Sequence, residues 1–301
     1  MSILFLFGAG ASNGNPDCKP YPPPLGAKLF SDLQKESELA AKIDKTLCDL
    51  FIENFEKGME KLWEDNPGSI TPFQIDLAKY FTKFEAGKNN YYIRLIEIIK
   101  KSQKKAVLST TNYDLLLEQS INSCGYSISY HGLPVNEKNQ SLLKIHGSCN
   151  FLPDIDPKQI SGIGFSIPRG GCEVLEAPIR PASAAETKRF CELADSIAPA
   201  IAVYAEGKQI LHCGSFVENI QQQWENEVIK AKKIFVIGLR VVEHDEHLWK
   251  VLASCNAWLG YVGFEPEEFK DWAKKNRKKN AFIVANTFEE SLPIIQRRIQ
   301  P

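Results

Sequence analysis

Short apolar runs alternate with segments of helical periodicity along this chain, a pattern typical of a sheet packed between helices. Residues Ile3–Phe7 are apolar without interruption and stop at Gly8, as expected for a strand buried on both faces of a parallel sheet. Later runs predict further strands at Ala106–Ser109, Ser141–Ile145, Ile234–Ile237, Leu259–Gly263 and Ala281–Val284. Helical patterns separate most of these runs, which implies right-handed crossovers and an α/β, doubly wound, Rossmann-like parallel sheet.

Helices are predicted where apolar residues recur at three- and four-residue spacing. In the part of the chain that carries the strands, these segments are about 115–123, 216–231, 244–255, 266–275 and 288–299. Between the first two strands, one predicted helix face comprises Leu39, Ile43, Leu47, Leu50 and Phe51, and a second comprises Leu77, Tyr80, Phe81 and Phe84. The turn Asn66-Pro67-Gly68 separates the two.

We interpret residues 1–301 as one domain with two additions to its α/β core. The core comprises residues 1–24, 102–149 and 206–301. A helical insertion occupies residues from about 25 to 101. A small irregular module, rich in Gly, Pro and Ser, occupies residues from about 150 to 205.

The composition is that of an ordinary globular protein. Hydrophobic residues make up 44% and charged residues 24% of the 301 positions, and the net charge of −1 excludes strong overall attraction to nucleic acid. The sequence has no apolar run of the ~20 residues that a membrane helix needs, and its first residues do not resemble a signal peptide. Its eight cysteines form no CxxC pair. We therefore expect a cytoplasmic protein with free thiols and no contact with nucleic acid or membrane.

Candidate chemistry follows the predicted strands, at the ends where parallel sheets bind ligands. The turn Gly8-Ala9-Gly10 lacks side-chain bulk, so its backbone N–H groups could approach a pyrophosphate closely. It is not a complete GxGxxG motif, because Asn13 takes the final position, and a purely structural turn is an equal alternative. No GK[ST] follows the glycines, which excludes a Walker A loop and ATP hydrolysis on that plan.

Asn112, Asp114 and His146 follow the second and third predicted strands, and Gly238 ends the fourth. A histidine at a strand end could act as a general base, because imidazole titrates near neutral pH, or it could be a hydrogen-bonded structural residue. Asn112 could hold a water and a ribose hydroxyl at once through its two amide donors and its acceptor. It could equally only cap the following helix.

Taken in order, these motifs resemble those of the sirtuin superfamily, specifically its bacterial sirtuin-like NAD hydrolases. Gly8-Ala9-Gly10-Ala11-Ser12 is similar to the phosphate-binding GAG turn of that family, and Thr111-Asn112-Tyr113-Asp114 is similar to its TQNxD segment. Lys144-Ile145-His146-Gly147-Ser148 resembles the catalytic histidine segment. Val236-Ile237-Gly238, with the downstream Asp245, resembles the late glycine strand. The resemblance covers the α/β core but not residues 28–101.

The resemblance implies an NAD glycohydrolase that cleaves NAD to nicotinamide and ADP-ribose. Asn112 would position the attacking water and the ribose, and His146 would accept a proton. Asp114 would contact the nicotinamide carboxamide, and Glu265 would bind the adenosine ribose diol, since a carboxylate accepts both hydroxyl protons. The implied NAD-binding set is Gly8, Ala9, Gly10, Ala11, Ser12, Asp114, Gly238 and Glu265.

The chain departs from the family in three places. Protein-deacylating sirtuins carry a zinc ribbon of two CxxC pairs after the histidine, and that spacing is missing here, so we expect no zinc. The cysteines in that region are Cys149, Cys172, Cys191 and Cys213. Arg240 stands where Thr or Ser is usual, and Pro22-Pro23-Pro24 replaces a GIPDFR-type sequence. These differences favour NAD cleavage without a peptide substrate. An NAD-dependent protein deacylase, a catalytically silent NAD or ADP-ribose sensor and a nicotinamide-dependent oxidoreductase are the alternatives.

The resemblance also implies partners. Bacterial members commonly act in anti-phage defence by depleting NAD, and an unregulated NADase is toxic. We therefore expect a homo-oligomer, or a separate controlling partner such as the hexameric DNA-translocase ATPase that pairs with similar short proteins. The helical insertion is the expected interface.

Two further patterns are interpreted as solvated helix surface. His244 and His247 lie three residues apart, a spacing that can ligate metal, but the rest of a metal motif is missing. The basic run at residues 274–279 is typical of a helix end. The sequence therefore predicts no metal site.

Overall fold

The computed structural model describes residues 2–130, 138–160, 176–202, 212–242, 245–276 and 278–300. The strands, in chain order, are β1 Ile3–Phe7, β2 Cys18–Lys19, β3 Glu85–Ala86, β4 Ala106–Thr110, β5 Ser127–Ser129, β6 Asn139–Lys144, β7 Phe151–Pro153, β8 Ile179–Pro181, β9 Lys233–Ile237, β10 Trp258–Val262 and β11 Ala281–Ala285. Two short antiparallel pairs, β2–β3 and β7–β8, lie apart from the main sheet.

The helices, in chain order, are α1 Ala9–Asn13, α2 Gly26–Glu36, α3 Glu38–Ala41, α4 Lys45–Glu53, α5 Phe55–Asp65, α6 Ile70–Phe81, α7 Tyr91–Ser102, α8 Leu116–Ser123, α9 Pro157–Ile160, α10 Ala184–Leu193, α11 Gly214–Lys230, α12 Glu246–Ser254, α13 Pro266–Lys275 and α14 Phe288–Ile299. A 3₁₀ turn, Pro67–Ser69, follows α5 at the predicted turn. Among the described helices, none is both long and apolar enough to cross a membrane.

The main sheet has the strand order β11-β10-β9-β1-β4-β6-β5, and each of its strand pairs is parallel. This confirms the predicted doubly wound α/β fold, and all six predicted strands lie in the sheet. The sequence does not predict the edge strand β5, because its residues Ser127–Ser129 contain a single apolar side chain. All five residues of β1 are buried, as the uninterrupted apolar run predicts.

The switch point of the sheet lies between β1 and β9. β1 pairs with β4 on one side and with β9 on the other, so that Phe7 lies beside both Thr110 and Ile237. The sheet continues from β4 to β6 in one direction and from β9 to β10 and β11 in the other. Such a reversal opens a crevice at the carboxyl ends of the two central strands, where open α/β sheets bind ligands. Gly8 and Gly238 occupy those two ends.

Aromatic side chains pack around β1 and connect the sheet to its helices. Phe5 stacks on Phe235 of β9 with ring centroids 5.2 Å apart. Phe7 meets the edge of the Tyr92 ring of α7 at 5.2 Å and lies 5.9 Å from Phe288 of α14. The first strand is therefore the centre of a core that contains parts from both ends of the chain.

Residues 25–101 fold mainly into helices, but these are shorter than the periodicity predicts. The predicted single face over residues 39–51 is divided between α3 and α4, because Ser37 and Asp44 each cap a separate helix with a side-chain oxygen. Phe84 lies beyond the end of α6, so the second predicted face is also one residue shorter. Local capping thus interrupts a periodicity that runs on through the sequence.

The apolar side chains of this insertion are buried within it and against the sheet. Phe30 of α2 stacks on Phe51 of α4 at 4.2 Å, and Phe51 lies 5.4 Å from Phe73 of α6. Among the large hydrophobic residues described in the insertion, Leu25 and Ile52 are the exposed ones. The expectation of an interface made by surplus apolar surface of the insertion therefore loses its main support.

The predicted irregular module contains some regular structure. β7 pairs with β8, and α10 begins with a capping box in which Ser183 and Glu186 exchange hydrogen bonds. Residues 161–175 of this module lie outside the described residues. So do residues 203–211, where the last predicted core segment begins.

His212 is a buried histidine between the insertion and the core. It precedes α11, and its Nε2 lies 3.1 Å from Oγ1 of Thr71 in α6. Its Nδ1 has no hydrogen-bond partner among the described residues. Burial lowers the pKa of His212 from 6.5 to about 4, so the side chain is neutral in the folded protein at pH 7.

We expect the free energy of unfolding to fall as the pH is lowered from 6.5 to about 4. In this range the unfolded chain binds a proton at His212 and the folded chain does not, so protonation favours unfolding. The contribution of this one group is at most about 3 kcal/mol. Urea denaturation at a series of pH values measures it.

His212→Gln is the control, because glutamine keeps a polar group beside Thr71 and does not titrate. The difference between the unfolding free energies of the wild type and the variant should shift against the wild type as the pH falls. Parallel curves for the two proteins would show that His212 is not the group responsible.

Candidate active site

Asn112 and His146 occupy equivalent positions on neighbouring strand ends. β4 and β6 are paired with Thr110 beside Lys144, and the N–H of Ile145 continues the ladder by donating to the Thr110 carbonyl oxygen at 2.9 Å. Each candidate lies two residues beyond this pair. The sheet therefore places the two candidate catalytic residues on adjacent strand ends, beside the end of β1.

The glycine turn after β1 packs closely against the end of β9. A Cβ on Gly8 would lie 2.5 Å from the Gly238 carbonyl oxygen, and one on Gly10 would lie 2.9 Å from the same atom. Gly238 itself has φ +67°, and a Cβ there would lie 2.2 Å from the backbone nitrogen of Ala11. Close backbone packing thus requires glycine at all three positions. This is the structural alternative considered for the turn.

Two amides of this turn are engaged within the protein. Gly10 donates its N–H to the Gly238 carbonyl oxygen at 2.9 Å, and Ala11 donates its N–H to the Gly8 carbonyl oxygen at 3.0 Å. Ala9 is exposed at the start of α1, whereas Ala11 and Ser12 are buried. A pyrophosphate at this turn would therefore not receive the Gly10 or Ala11 amide unless these bonds were exchanged.

The orientation of the Asn112 side chain is fixed by two acceptors. Its Nδ2 donates to the Gly8 carbonyl oxygen and to Ser12 Oγ, each at 3.0 Å. A rotated amide would direct Oδ1 at the Gly8 carbonyl, an acceptor against an acceptor, so only the present orientation is compatible with that bond. Both amide hydrogens are thus engaged within the protein, so in this arrangement Asn112 can offer a water or a ribose hydroxyl only its acceptor.

The Oδ1 atom of Asn112 is left as a buried acceptor. Asn112 is 8% exposed, and Oδ1 has no hydrogen-bond partner among the described residues. A buried polar atom without a partner costs about 1–3 kcal/mol, so such atoms in folded proteins often serve a ligand or a bound water. What Asn112 offers is therefore one oriented acceptor for an O–H group.

Ser12 connects the turn, the insertion and the strand end of β4. Its Oγ lies 3.0 Å from the hydroxyl of Tyr92 and accepts a hydrogen bond from Asn112 Nδ2 at 3.0 Å. Burial raises the pKa of Tyr92 well above its ordinary value, so the phenol stays protonated and can donate to Ser12. Ser12 can then accept from both Tyr92 and Asn112. The sequence analysis did not identify Tyr92 as a site residue, because Tyr92 lies in the helical insertion and not at the end of a predicted strand.

Asp114 and Lys144 form a buried polar layer beneath the strand ends. Lys144 is fully buried; its Nζ donates to the Asp114 carbonyl oxygen at 2.6 Å and pairs with Glu118 of α8 at 2.9 Å. Asp114 Oδ1 accepts the N–H of Leu116, the first residue of α8, at 3.0 Å. Burial raises the pKa values of Asp114 and Glu118, and the Lys144 charge opposes both shifts. Asp114 is thus held by internal bonds.

His146 lies in a second cluster, between the end of β6 and the start of α12. It is 1% exposed, and its carbonyl oxygen accepts the N–H of Ala202 at 2.9 Å. Its Nε2 lies 3.4 Å from Nε2 of His247 and 3.7 Å from Oδ1 of Asp245. Sequence reasoning paired His247 with His244, which lies outside the described residues, and did not connect His247 with His146.

Glu265 forms an ion pair with Arg240 at the ends of β9 and β10. The same guanidinium donates to Glu268 at 2.6 Å, so Arg240 lies between two carboxylates. Glu265 follows β10, and its carboxylate is shared with the Arg240 cation, so it is not free of partners in this arrangement. Arg240 was noted only as a departure, and its two partners could not be recognised from the sequence.

The cysteines after His146 are not arranged as a zinc ribbon in the described residues. Burial raises the pKa of the Cys149 thiol well above its ordinary value, that of Cys191 to about 12 and that of Cys213 to about 11. All three are free thiols, and Cys172 lies outside the described residues. Protonated thiols are poor nucleophiles, which argues against a catalytic cysteine among these three.

The fold is that of solved Sir2 structures. A structure reported for the mechanism and regulation of Sir2 enzymes matches with a TM-score of 0.53 at 14% identity, over 99% of this chain and 92% of the other. Sir2Af2 bound to a myristoylated histone peptide matches with a TM-score of 0.50 at 13% identity, over 99% and 90%. A Sir2 homologue in complex with NAD gives 0.45 at 13% identity, over 99% and 89%. No family model and no curated protein matches the sequence.

We expect Lys144→Met to lower the free energy of unfolding by about 3–5 kcal/mol, as measured by urea denaturation. The substitution keeps the length of the side chain but leaves the buried Glu118 carboxylate without its cation, and an uncompensated buried charge is strongly destabilising.

The double variant Lys144→Met, Glu118→Gln removes both charges and should recover at least half of that loss. The coupling energy from the double-mutant cycle isolates the ion pair. A double variant as unstable as the sum of the single variants would contradict the pairing.

Proposed function

We propose that the protein is an NAD glycohydrolase that cleaves NAD and water to nicotinamide and ADP-ribose. The observation that carries the proposal is the oriented, buried and unpartnered Oδ1 of Asn112, on the strand end adjacent to His146. An acceptor of this kind, beside a histidine, suits the alignment of one water molecule. Its place at the switch point of the sheet is the usual location of a nucleotide in this fold class.

Hydrolysis of the nicotinamide–ribose bond requires a well-positioned water molecule more than it requires acid catalysis. The bond from nicotinamide to ribose breaks with oxocarbenium character at the anomeric carbon, and the leaving group is already cationic, so it needs no proton. Asn112 Oδ1 accepts one hydrogen of the attacking water and thereby directs a lone pair of the water oxygen. His146 accepts the proton that the water loses as its oxygen bonds to the anomeric carbon.

The crevice edge suits an adenosine ribose that carries a free 2′-hydroxyl. Glu265 and Glu268 together place two negative charges against the single positive charge of Arg240. This excess of negative charge disfavours a 2′-phosphate, so we propose NAD rather than NADP as substrate. Glu265 keeps carboxylate lone pairs that can accept from the ribose diol. Gly8–Ser12, Asp114 and Gly238 form the surrounding wall.

An NAD-dependent protein deacylase is the second candidate, and the fold shared with Sir2 enzymes favours it. A deacylase consumes NAD only when an acyl-lysine peptide is present, whereas a glycohydrolase releases nicotinamide from NAD alone. A silent sensor binds NAD and releases nothing. One incubation with NAD, with and without an acylated peptide, separates the three.

We further propose that the activity serves anti-phage defence by NAD depletion and is gated by assembly or by a partner ATPase. The burial of both catalytic candidates supports gating, because a nucleotide reaches Asn112 and His146 only if neighbouring residues move. Expression in phage-infected bacteria, compared with the Asn112→Ala variant, tests the defence role. NAD loss and phage resistance should both require Asn112.

Asn112→Ala and His146→Ala should each lower nicotinamide release by about 100-fold or more, because each removes a group that positions the water or accepts its proton. Chromatography of the released nicotinamide measures the rate, and circular dichroism checks the fold.

Asn122→Ala, at an exposed asparagine on α8, is the matched control and should retain wild-type turnover. Near wild-type release from either site variant, with native circular dichroism, would show that the assigned mechanism is wrong.

The assembly proposal predicts that light scattering gives a mass larger than one chain for the active protein. The described apolar surface favours the β11 edge over the insertion as the interface, because Phe282 and Ile283 are exposed there. A monomer that is fully active at nanomolar concentration without a partner would remove the basis for gating by assembly.

A further inference from the structure

Three metal-ligating side chains converge beside the proposed water site. The cluster comprises His146 at the end of β6, Asp245 just before α12 and His247 in its first turn. One ligand atom from each lies within 4.8 Å of the others. The two donors nearest to His146 Nε2 are His247 Nε2 at 3.4 Å and Asp245 Oδ1 at 3.7 Å.

The 3.4 Å separation matches an edge of a tetrahedral coordination site, and the 3.7 Å separation is slightly longer than such an edge. A tetrahedral Zn²⁺ with bonds of about 2.0–2.1 Å places its ligand atoms about 3.3–3.4 Å apart. An octahedral ion with the same bond lengths requires edges of about 2.9 Å, which are shorter than either measured distance. Rotation of the exposed His247 side chain can adjust its own distances to the other two ligands, and a small shift of Asp245 Oδ1 toward His146 would close the site.

The donor set and its burial also fit a transition metal. Two imidazole nitrogens and one carboxylate oxygen suit Zn²⁺ and leave the fourth tetrahedral position open. His146 and Asp245 are buried and held by the fold, whereas His247 is exposed and provides a path of entry from solvent. A site with two fixed ligands and one mobile ligand can load and unload reversibly.

We propose that His146, Asp245 and His247 bind a Zn²⁺ ion that inhibits the enzyme reversibly. A metal on Nε2 of His146 occupies the lone pair that the hydrolytic mechanism needs for the proton of water. This revises the expectation of no zinc, which rested on cysteine spacing and on the His244–His247 pair. The inhibitory role rests on the proposed function, because it assumes that the protein hydrolyses NAD. The zinc-binding site does not depend on that activity.

Equilibrium dialysis of the chelator-treated full chain against zinc chloride, followed by metal analysis, tests the site. The wild type should bind one zinc per chain at this site. His247→Asn should weaken binding by about 100-fold or more, since even the loss of an outer partner of a zinc ligand costs 10–100-fold. Glu246→Gln, which alters the neighbouring exposed carboxylate of the same helix, is the matched control and should bind like the wild type.

Cobalt substitution identifies the ligands. Co²⁺ at a nitrogen and oxygen site gives visible d–d absorption without the strong near-ultraviolet band of a cobalt–thiolate bond. That spectrum, lost in His247→Asn, supports the proposal. A thiolate band, zinc binding that is unchanged in His247→Asn, or no zinc bound by the wild type would each overturn it.

The rate of nicotinamide release, measured at increasing zinc concentration, tests the inhibitory role separately from zinc binding. Zinc should inhibit the wild type and Glu246→Gln. His247→Asn should require about 100-fold more zinc than the wild type to lose half of its own zinc-free rate. Zinc that binds without inhibiting overturns the inhibitory role. Site-specific zinc binding by a protein that releases no nicotinamide refutes the hydrolase and the inhibitory role together, and supports the metal site.

Discussion

The close approach of the β9 end to the turn after β1 is the contact on which the rest of the site depends. Gly8, Gly10 and Gly238 permit it, because a side chain at any of them would meet backbone within 3 Å. The contact holds the Gly8 carbonyl in place, and that carbonyl determines which way the Asn112 amide faces. A constraint on backbone volume thereby sets the orientation of one buried acceptor, Asn112 Oδ1.

A buried electrostatic layer supports this arrangement from below. Lys144 lies under the strand ends. It donates to the Asp114 carbonyl oxygen after β4 and forms an ion pair with Glu118 of α8, so it joins these two elements. Such pairs contribute little net stability compared with apolar packing, but they tolerate few alternative geometries. The layer therefore acts mainly by defining how β4, β6 and α8 fit together, while the aromatic core around β1 provides the bulk of the apolar burial.

The sequence was sufficient to predict the fold class and to place candidate residues after the strands, because both depend on local patterns. Apolar runs define buried strands, and polar residues after them define the ligand edge. It was insufficient for roles that depend on partners distant in the chain. Nothing near Asn112 indicates that its amide hydrogens are taken by Gly8 and Ser12. The proximity of His146 to His247 likewise follows from tertiary packing. Nothing in the sequence around Tyr92, in the helical insertion, indicates its contact with Ser12.

The position of β1 at the centre of the sheet has a consequence for synthesis of the protein. The first strand leaves the ribosome before its partners. Phe7 of β1 pairs with Thr110 of β4, 103 positions later, and with Ile237 of β9, 230 positions later. Contacts of such long range form late and slowly. The crevice cannot close until β9, Lys233–Ile237, has emerged, so shorter translation products lack that half of the candidate site.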